Sequence, residues 1–551
     1  MLASELLVRC LEEEGIEIIF GLPGEENADF MMALEKSEKI RFVLTRHEQG
    51  AAFMAEAYGR LTGNPAGCLS TLGPGATNLI TGVADANMDR APMIVLTGQG
   101  STDRLHKESH QIMDTVSMFK PVTKWATSIY NPDTIPEIVR KAVRISRSEK
   151  PGAVLIELPE DIARETTSSE PITPRRYRRS VPDEEVIEEA SRLIMQSEQP
   201  LIIAGNGCIR KRASAELRRL CDLSKIGVVS SFMAKGCVDM DAEYCLFTIG
   251  LGARDRIAEV IESADLIITL GLDMVEYPPK LWNTDSAKLI IHADFLPAEI
   301  DENYHPTLEL IGDLAKTISA IKDKLEEKNF QVTERAVYLS CRQNLLSDFS
   351  ECDSDSDRET IRPQQVLSLV RRSLGPKDIL LSDVGAHKMW IARHYHCHEP
   401  NTCLIPNGFC SMGFALPAAI AASLVEPKKR ILGIAGDGGF LMNLQEMETA
   451  RRLNSNLVMM VWEDKAFGLI SWKQEDSYGR HTDLSFGNPD WLELASAFRW
   501  QGAHVKNSDE LREKLESALE TSGPSLLVLP IDYRENQVLT KKLNDLQECQ
   551  R

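Results

Sequence analysis

Residues 431–470 read ILGIAGDGGFLMNLQEMETARRLNSNLVMMVWEDKAFGLI. An apolar run over 431–435 stops at Gly436-Asp437-Gly438-Gly439, a helix-like segment follows, and a second apolar run over 457–462 stops at Glu463-Asp464. That is a strand, a loop, a helix and a parallel strand. In such a crossover both strands point the same way, so Asp437 and Asp464, 27 positions apart, emerge side by side at the carboxyl edge of the sheet. Two carboxylates there suit a hard cation. Gly436, Gly438 and Gly439 leave the backbone bare, so a phosphate can reach the N–H groups that open the next helix, where the helix dipole favours negative charge. The implied ligand is a magnesium-bound diphosphate. Taken alone, Gly-Asp-Gly fits a structural turn better, with the aspartate capping the helix, and it is the whole segment that reverses this.

The 551 residues exceed one core and point to three or four domains. A net charge of −20 argues against a nucleic-acid partner, whose phosphates call for Lys and Arg surfaces. The opening stretch MLASELLVRCLEEEGIEIIF spaces its apolar residues as an amphipathic helix and is broken by three glutamates, unlike a signal peptide. No apolar run approaches ~18 residues, so no membrane span is expected. The twelve cysteines are scattered without a CxxC pair and read as reduced thiols of a cytoplasmic protein.

The same alternation runs outward in both directions. A helix over 3–14 leads to a strand over 16–20 that ends in Gly21-Leu22-Pro23-Gly24, and a strand over 40–44 delivers Arg46-His47-Glu48 just before a helix over 51–62. A glutamate there can serve the helix dipole alone. After a strand over 153–158, TTSSEPITPRRYRRSVPDEE (166–185) lacks apolar periodicity and reads as a linker, its basic run 175–179 as a solvated connector. In the middle region Gly205-Asn206-Gly207 follows an apolar strand, but Arg210 replaces the third glycine of a dinucleotide fingerprint. The acidic segment ECDSDSDRET within 326–360 suits a second linker. These patterns give an α/β chain of three doubly wound parallel-sheet domains, over 1–165, 186–325 and 360–537, with a tail over 538–551 that is a peripheral helix or loosely ordered.

RHEQGAAFMAEAYGRLTG and STLGPGATNLITGVADANMDRAPMIVLTGQ, together with the 431–470 segment, resemble the acetolactate synthase group of thiamine-diphosphate enzymes over essentially the whole chain. The resemblance implies the following roles. Glu48 bonds N1′ of the aminopyrimidine, favouring the imino tautomer that takes the proton from thiazolium C2. Gly73 and Pro74 lie in a loop around the pyrimidine; the carbonyl of Cys410 takes the 4′-amino proton and Met412 wedges between the rings. Gly385, Ala386 and His387 hold the diphosphate from the side opposite Gly436 to Gly439. Asp437, Asp464 and the carbonyl of Ala466 bind Mg²⁺, with Asp464 standing where asparagine is common. Gln111 and His110 lie near the reacting carbon. Lys124, which matches a family lysine, and Lys473, which stands where catabolic members commonly have Gln and biosynthetic members Trp, are the candidate substrate residues.

The implied reaction is decarboxylation of pyruvate and addition of the resulting enamine to a second pyruvate, giving 2-acetolactate. Active sites lie between subunits of a homodimer or homotetramer. Residues 271–280 and the stretch KLIIHADFLPAEIDENYHPTLELIGDL resemble the catabolic branch rather than the flavin-binding one, so FAD is not expected. The alternatives are a related 2-oxoacid decarboxylase or carboligase, motivated by Cys410 and Lys473, a flavin-bound biosynthetic catalytic subunit, and a cofactor-binding protein without activity.

Overall fold

A computed structural model describes residues 1–175, 179–210, 213–250, 256–350, 361–536 and 539. Three six-stranded sheets follow one another along the chain, and every neighbouring pair of strands is parallel. The first runs Arg41–Leu44, Ile18–Gly21, Ala66–Ser70, Met93–Gln99, Ala153–Pro159, Trp125–Ser128. The third repeats that order with Cys403–Leu404, Ile379–Ser382, Ile431–Gly436, Val458–Glu463, Ser525–Pro530, Gln501–His504. The central sheet is different: Leu308–Ile311, Leu289–Asp294, Leu266–Leu270, Pro200–Ala204, Gly227–Ser230, Cys245–Thr248. The three doubly wound sheets expected from the alternating patterns are therefore present. In each, the strand order reverses between the first strand and a later neighbour while every strand keeps its direction, a switch point that leaves a crevice at the carboxyl edge where a ligand can enter.

Helix Glu48–Thr62 sits at the heart of the contact between the first and third sheets. Its run of Gly50, Ala51, Ala52, Ala55, Ala57 and Gly59 is buried on all sides, because small side chains let two other helices close on it. Pro74–Met88 packs there, with Gly82 against Ala52, and the apolar helix Ala415–Val425 packs opposite, with Phe53 and Phe414 edge to face at 5.8 Å.

Several local expectations shift. The helix expected from residue 51 begins at Glu48, because extended His47 caps it and its Nδ1 accepts the N–H of Gln49 at 3.1 Å. Gly436 passes straight into helix Asp437–Met442 without a separate loop. Between the expected central and third domains lies helix Ala336–Ser350, whose Tyr338 hydroxyl donates to the Pro200 carbonyl and whose Arg342 donates to the Cys245 carbonyl at 2.8 Å. Apolar residues of this helix bury against the central sheet, a tertiary role that its weak periodicity hides. The segment ECDSDSDRET, the middle of the basic run at 176–178 and nearly all of the 538–551 tail lie outside the described residues. Among the described residues ten cysteines are free thiols, and no helix is long and apolar enough to cross a membrane.

Lys124 has a structural place. Its ammonium donates to the carbonyls of Ile145, Ser148 and Lys150, each at 2.7 Å, and so closes the end of helix Ile135–Arg147 with all three of its hydrogens. Those three bonds use every hydrogen of the ammonium in the single chain. Lys124→Met should lower stability by about 1 kcal/mol, a net loss of hydrogen bonds at a partly solvated helix end, while leaving turnover per folded molecule unchanged. Thermal unfolding with a parallel activity assay checks this; a loss of turnover without a loss of stability would return Lys124 to the site.

Candidate active site

Two crevices carry the residues singled out from sequence. At the third sheet, Gly436 pairs in register with Trp462, so the residues that follow each strand face one another. Asp437, 1% exposed, is a hub for donors: its Oδ2 accepts the N–H of Lys465 at 2.7 Å, of Asp464 at 3.3 Å and the Asn488 side-chain amide at 2.8 Å, and its Oδ1 accepts the N–H of Gly438 at 2.8 Å. Asp464 stands beside it and accepts the N–H of Ala466 at 3.4 Å. Burial, then the neighbouring Asp437, pushes the Asp464 carboxyl up to about 7. Two carboxylates held this close repel, and a divalent cation with oxygen ligands is the species that relieves the repulsion.

The diphosphate side of the same crevice is also prepared for an anion. His387 is 2% exposed, and burial drives its imidazole down to about 4, so it is neutral. Its Nε2 is buried without a partner, and its ring lies against Gly385 and Gly436 and edge-on to Trp462. In the tautomer that carries its hydrogen on Nε2, this buried nitrogen beside the first turn of helix Ala386–His394 and the Gly-Asp-Gly turn can donate to a phosphoryl oxygen. The residues present therefore fit a metal-bound diphosphate.

Beside it lies the loop 405–413. Cys410 is left-handed (φ +61°) and accepts a hydrogen bond from the Lys388 ammonium at 3.1 Å, and Met412 is half-buried. Asp383, fully buried and pushed up to about 6 by that burial, accepts the N–H groups of Val384, Gly413 and Ala415 at 2.7, 2.9 and 3.0 Å. It fixes the far end of the loop.

At the first sheet, Glu48 is 7% exposed and accepts the Asn78 side-chain amide at 3.1 Å, with Gly75 against its other oxygen. Gly73 (φ +49°) has no room for a side chain: a Cβ there would meet the Gln111 carbonyl oxygen at 2.7 Å. The loop that bears His110 and Gln111 is thereby seated on Gly73-Pro74-Gly75, with both side chains exposed in the single chain. Glu446, reaching from the third sheet's layer, accepts the N–H of His47 at 2.9 Å and of Arg46 at 3.1 Å and sets where the Glu48 helix starts. Lys473 is exposed on helix Gly468–Tyr478, its ammonium 5.7 Å from the Trp472 ring.

The structure thus groups Asp437, Asp464, Ala466, Gly436, Gly438, Gly439, Gly385, Ala386 and His387 at one crevice, Cys410 and Met412 on the loop beside it, and Glu48, Gly73, Pro74 and Gln111 at another. Lys124 belongs to neither. Asn488, Asp383, Glu446 and Asn78 escaped sequence reasoning. Asn78 alone had a local signal, four residues after Pro74 and hence one helical turn from the loop.

Three family matches cover most of the chain: thiamine pyrophosphate enzyme, N-terminal TPP binding domain, over residues 1–118; central domain over 187–321; and C-terminal TPP binding domain over 383–529. The chain is 34% identical to an acetolactate synthase of Bacillus subtilis (strain 168), over 97% of this chain and 94% of that protein. It is 32% identical to a catabolic acetolactate synthase of Raoultella terrigena, over 98% and 97%. A probable acetolactate synthase large subunit of Methanocaldococcus jannaschii is 34% identical, over 97% and 93%.

Proposed function

We propose, from the premise that this chain belongs to the acetolactate synthase family of thiamine pyrophosphate enzymes, that it decarboxylates pyruvate and joins the retained two-carbon unit to a second pyruvate, giving 2-acetolactate. The observation that carries the reading is the crevice that pairs Asp437 with Asp464 beneath the orphaned His387 nitrogen. Thiamine diphosphate, when bound, supplies the nucleophilic carbon and the electron sink for loss of carbon dioxide. The chain's own residues hold and orient it. Asp437, Asp464 and the Ala466 carbonyl are the Mg²⁺ ligands, while His387, Gly385, Ala386 and the Gly436 to Gly439 turn hold the diphosphate. Cys410 and Met412 bear on the pyrimidine, and Glu48 shares a proton with its ring nitrogen. Gln111 and His110 face the substrate.

One chain does not complete this arrangement, and a homodimer or larger assembly with shared sites is part of the proposal. Helix Pro74–Met88 carries the Gly73–Glu48 group at its start, whereas Asp85 near its end accepts the N–H of Ser411, next to Cys410. Ten residues of helix separate Gly75 from Asp85, about 15 Å of rise. A single pyrimidine ring cannot touch both Glu48 and Cys410 across that span, so Glu48 serves a cofactor held by another subunit.

The central sheet's crevice supports the flavin-free reading. Gly205 and Gly207 lie directly against Gly271, and Gly207 donates to the Gly271 carbonyl at 2.8 Å. The N–H of Asn206, where a dinucleotide's phosphate would bind, is taken at 3.0 Å by the buried carboxylate of Glu276. That N–H is therefore already taken by the protein itself, by a carboxyl that burial pushes up to about 7.

Purified protein given pyruvate, thiamine diphosphate and Mg²⁺ without flavin should release one carbon dioxide per acetolactate formed. Pyruvate consumption with acetaldehyde as the product would overturn the carboligase assignment, and a need for added flavin would overturn the flavin-free one. Glu48→Gln should fold normally and lose about 10²–10⁴-fold in turnover, because an amide cannot share a proton as a carboxyl does. Asp437→Ala and Asp464→Ala should each raise the Mg²⁺ concentration needed for cofactor binding by about tenfold or more, each having lost a hard oxygen ligand. Cofactor titration at several Mg²⁺ concentrations measures this; wild-type behaviour at limiting Mg²⁺ would remove that residue from the ligand set.

A further inference from the structure

A buried group of acids lies next to the cofactor loop, and none of the roles above uses it. Glu56, Asp85 and Asp89 are each 0% exposed. Among the described residues Arg60 is the one cation within ion-pair distance, at 3.1 Å from Asp89 and 3.7 Å from Glu56. Three carboxyl groups out of water against a single guanidinium are costly unless they are hydrogen-bonded to something that needs them.

Two of them are bonded to the backbone of the loop. Asp89 accepts the N–H of Gly408 at 2.6 Å and of Asn407 at 3.2 Å, and Asp85 accepts the N–H of Ser411 at 3.3 Å. Arg60, held by Asp89, donates to the Ile405 carbonyl at 3.1 Å. Residues 405–411 are thus pinned at four backbone groups by side chains more than 300 positions away in sequence. Asp383 and Asn443 secure Gly413, Asn443 by donating to its carbonyl at 2.9 Å. Left-handed Cys410 lies within the first clamp, and Met412 lies between it and the second. Burial pushes all three carboxyls up, Asp85 to about 8 and Glu56 well above the usual carboxylate range, while at Asp89 the Arg60 guanidinium and the N–H groups of Gly408 and Asn407 oppose that rise.

We propose that Asp89 and Asp85 are positioning residues for the cofactor: by fixing the backbone of 407–411 they set the Cys410 carbonyl and the Met412 side chain against the pyrimidine ring, without touching it. The inference rests on the thiamine-diphosphate reading. A contact that merely glued two layers together would affect unfolding alone; a positioning contact alters the bound cofactor itself.

The test uses the full chain saturated with thiamine diphosphate and Mg²⁺, with three readouts: cofactor affinity, the near-ultraviolet circular dichroism of the bound aminopyrimidine, and C2 proton exchange by quenched-flow NMR. For Asp89→Ala the affinity should stay within about threefold, since the metal and diphosphate residues are untouched, while C2 exchange falls about tenfold to a hundredfold and the dichroic band changes. Asp89→Asn, which keeps an oxygen for the Gly408 N–H, should recover part of the exchange rate. Asp85→Ala, which loses the Ser411 contact alone, should shift exchange in the same direction by a smaller factor and serves if Asp89→Ala does not fold. Wild-type exchange and dichroism in either alanine variant would overturn the inference. Absence of exchange in the wild type would instead overturn the cofactor reading on which it stands.

Discussion

Parallel pairing between Ile431–Gly436 and Val458–Glu463 is the constraint on which the candidate site depends. Because both strands run the same way and end level with each other, two carboxylates that are distant in sequence meet at one edge. The meeting is unfavourable by itself, as the upward shift of Asp464 records. It persists because Asp437 collects four donors that hold it still. Stability of this kind is spent on geometry: the backbone around Asp437 is ordered in advance, so an incoming cation meets ligands that need not be gathered.

The three sheets use one architectural device in two ways. In the outer pair, which share a strand order, the edge beside the first strand carries Gly-rich turns. In the central sheet the corresponding edge carries bonded side chains, with Glu276 seated on Asn206 and Ser231 and with Arg90 and Lys150 drawn onto Asp273. Asn206 also donates to the Asp89 carbonyl, which ties this edge to the first sheet. Fold alone does not say whether such a crevice binds anything; the side chains that enter it do.

What was legible in the sequence was what is local. Apolar runs ending in glycine and aspartate announce strand ends, so the doubly wound sheets and the Asp437–Asp464 pair could be read directly. Glu48 and His387 each stand at a strand-to-helix junction, which located them, although their roles came from resemblance. Residues whose partners lie far along the chain were invisible: Glu446 acts on a backbone 400 positions away and Asp89 on one 318 away. Helix Ala336–Ser350 was missed because its amphipathic signal is faint and its burial is supplied by the neighbouring sheet. Lys124 shows the same limit, since in sequence a lysine that caps a helix end and one that binds a substrate look alike.

Helix Pro74–Met88 touches the cofactor machinery at both ends, through Gly73 at its start and Asp85 near its finish. Its fifteen residues form a rod of about 22 Å. In an assembly whose sites are shared between subunits, the start of this rod belongs to one reaction centre and its finish to the other. A two-fold pair then has two such rods running in opposite senses between the same two centres. In such a pair, an axial shift at one end of the rod would reach the other centre.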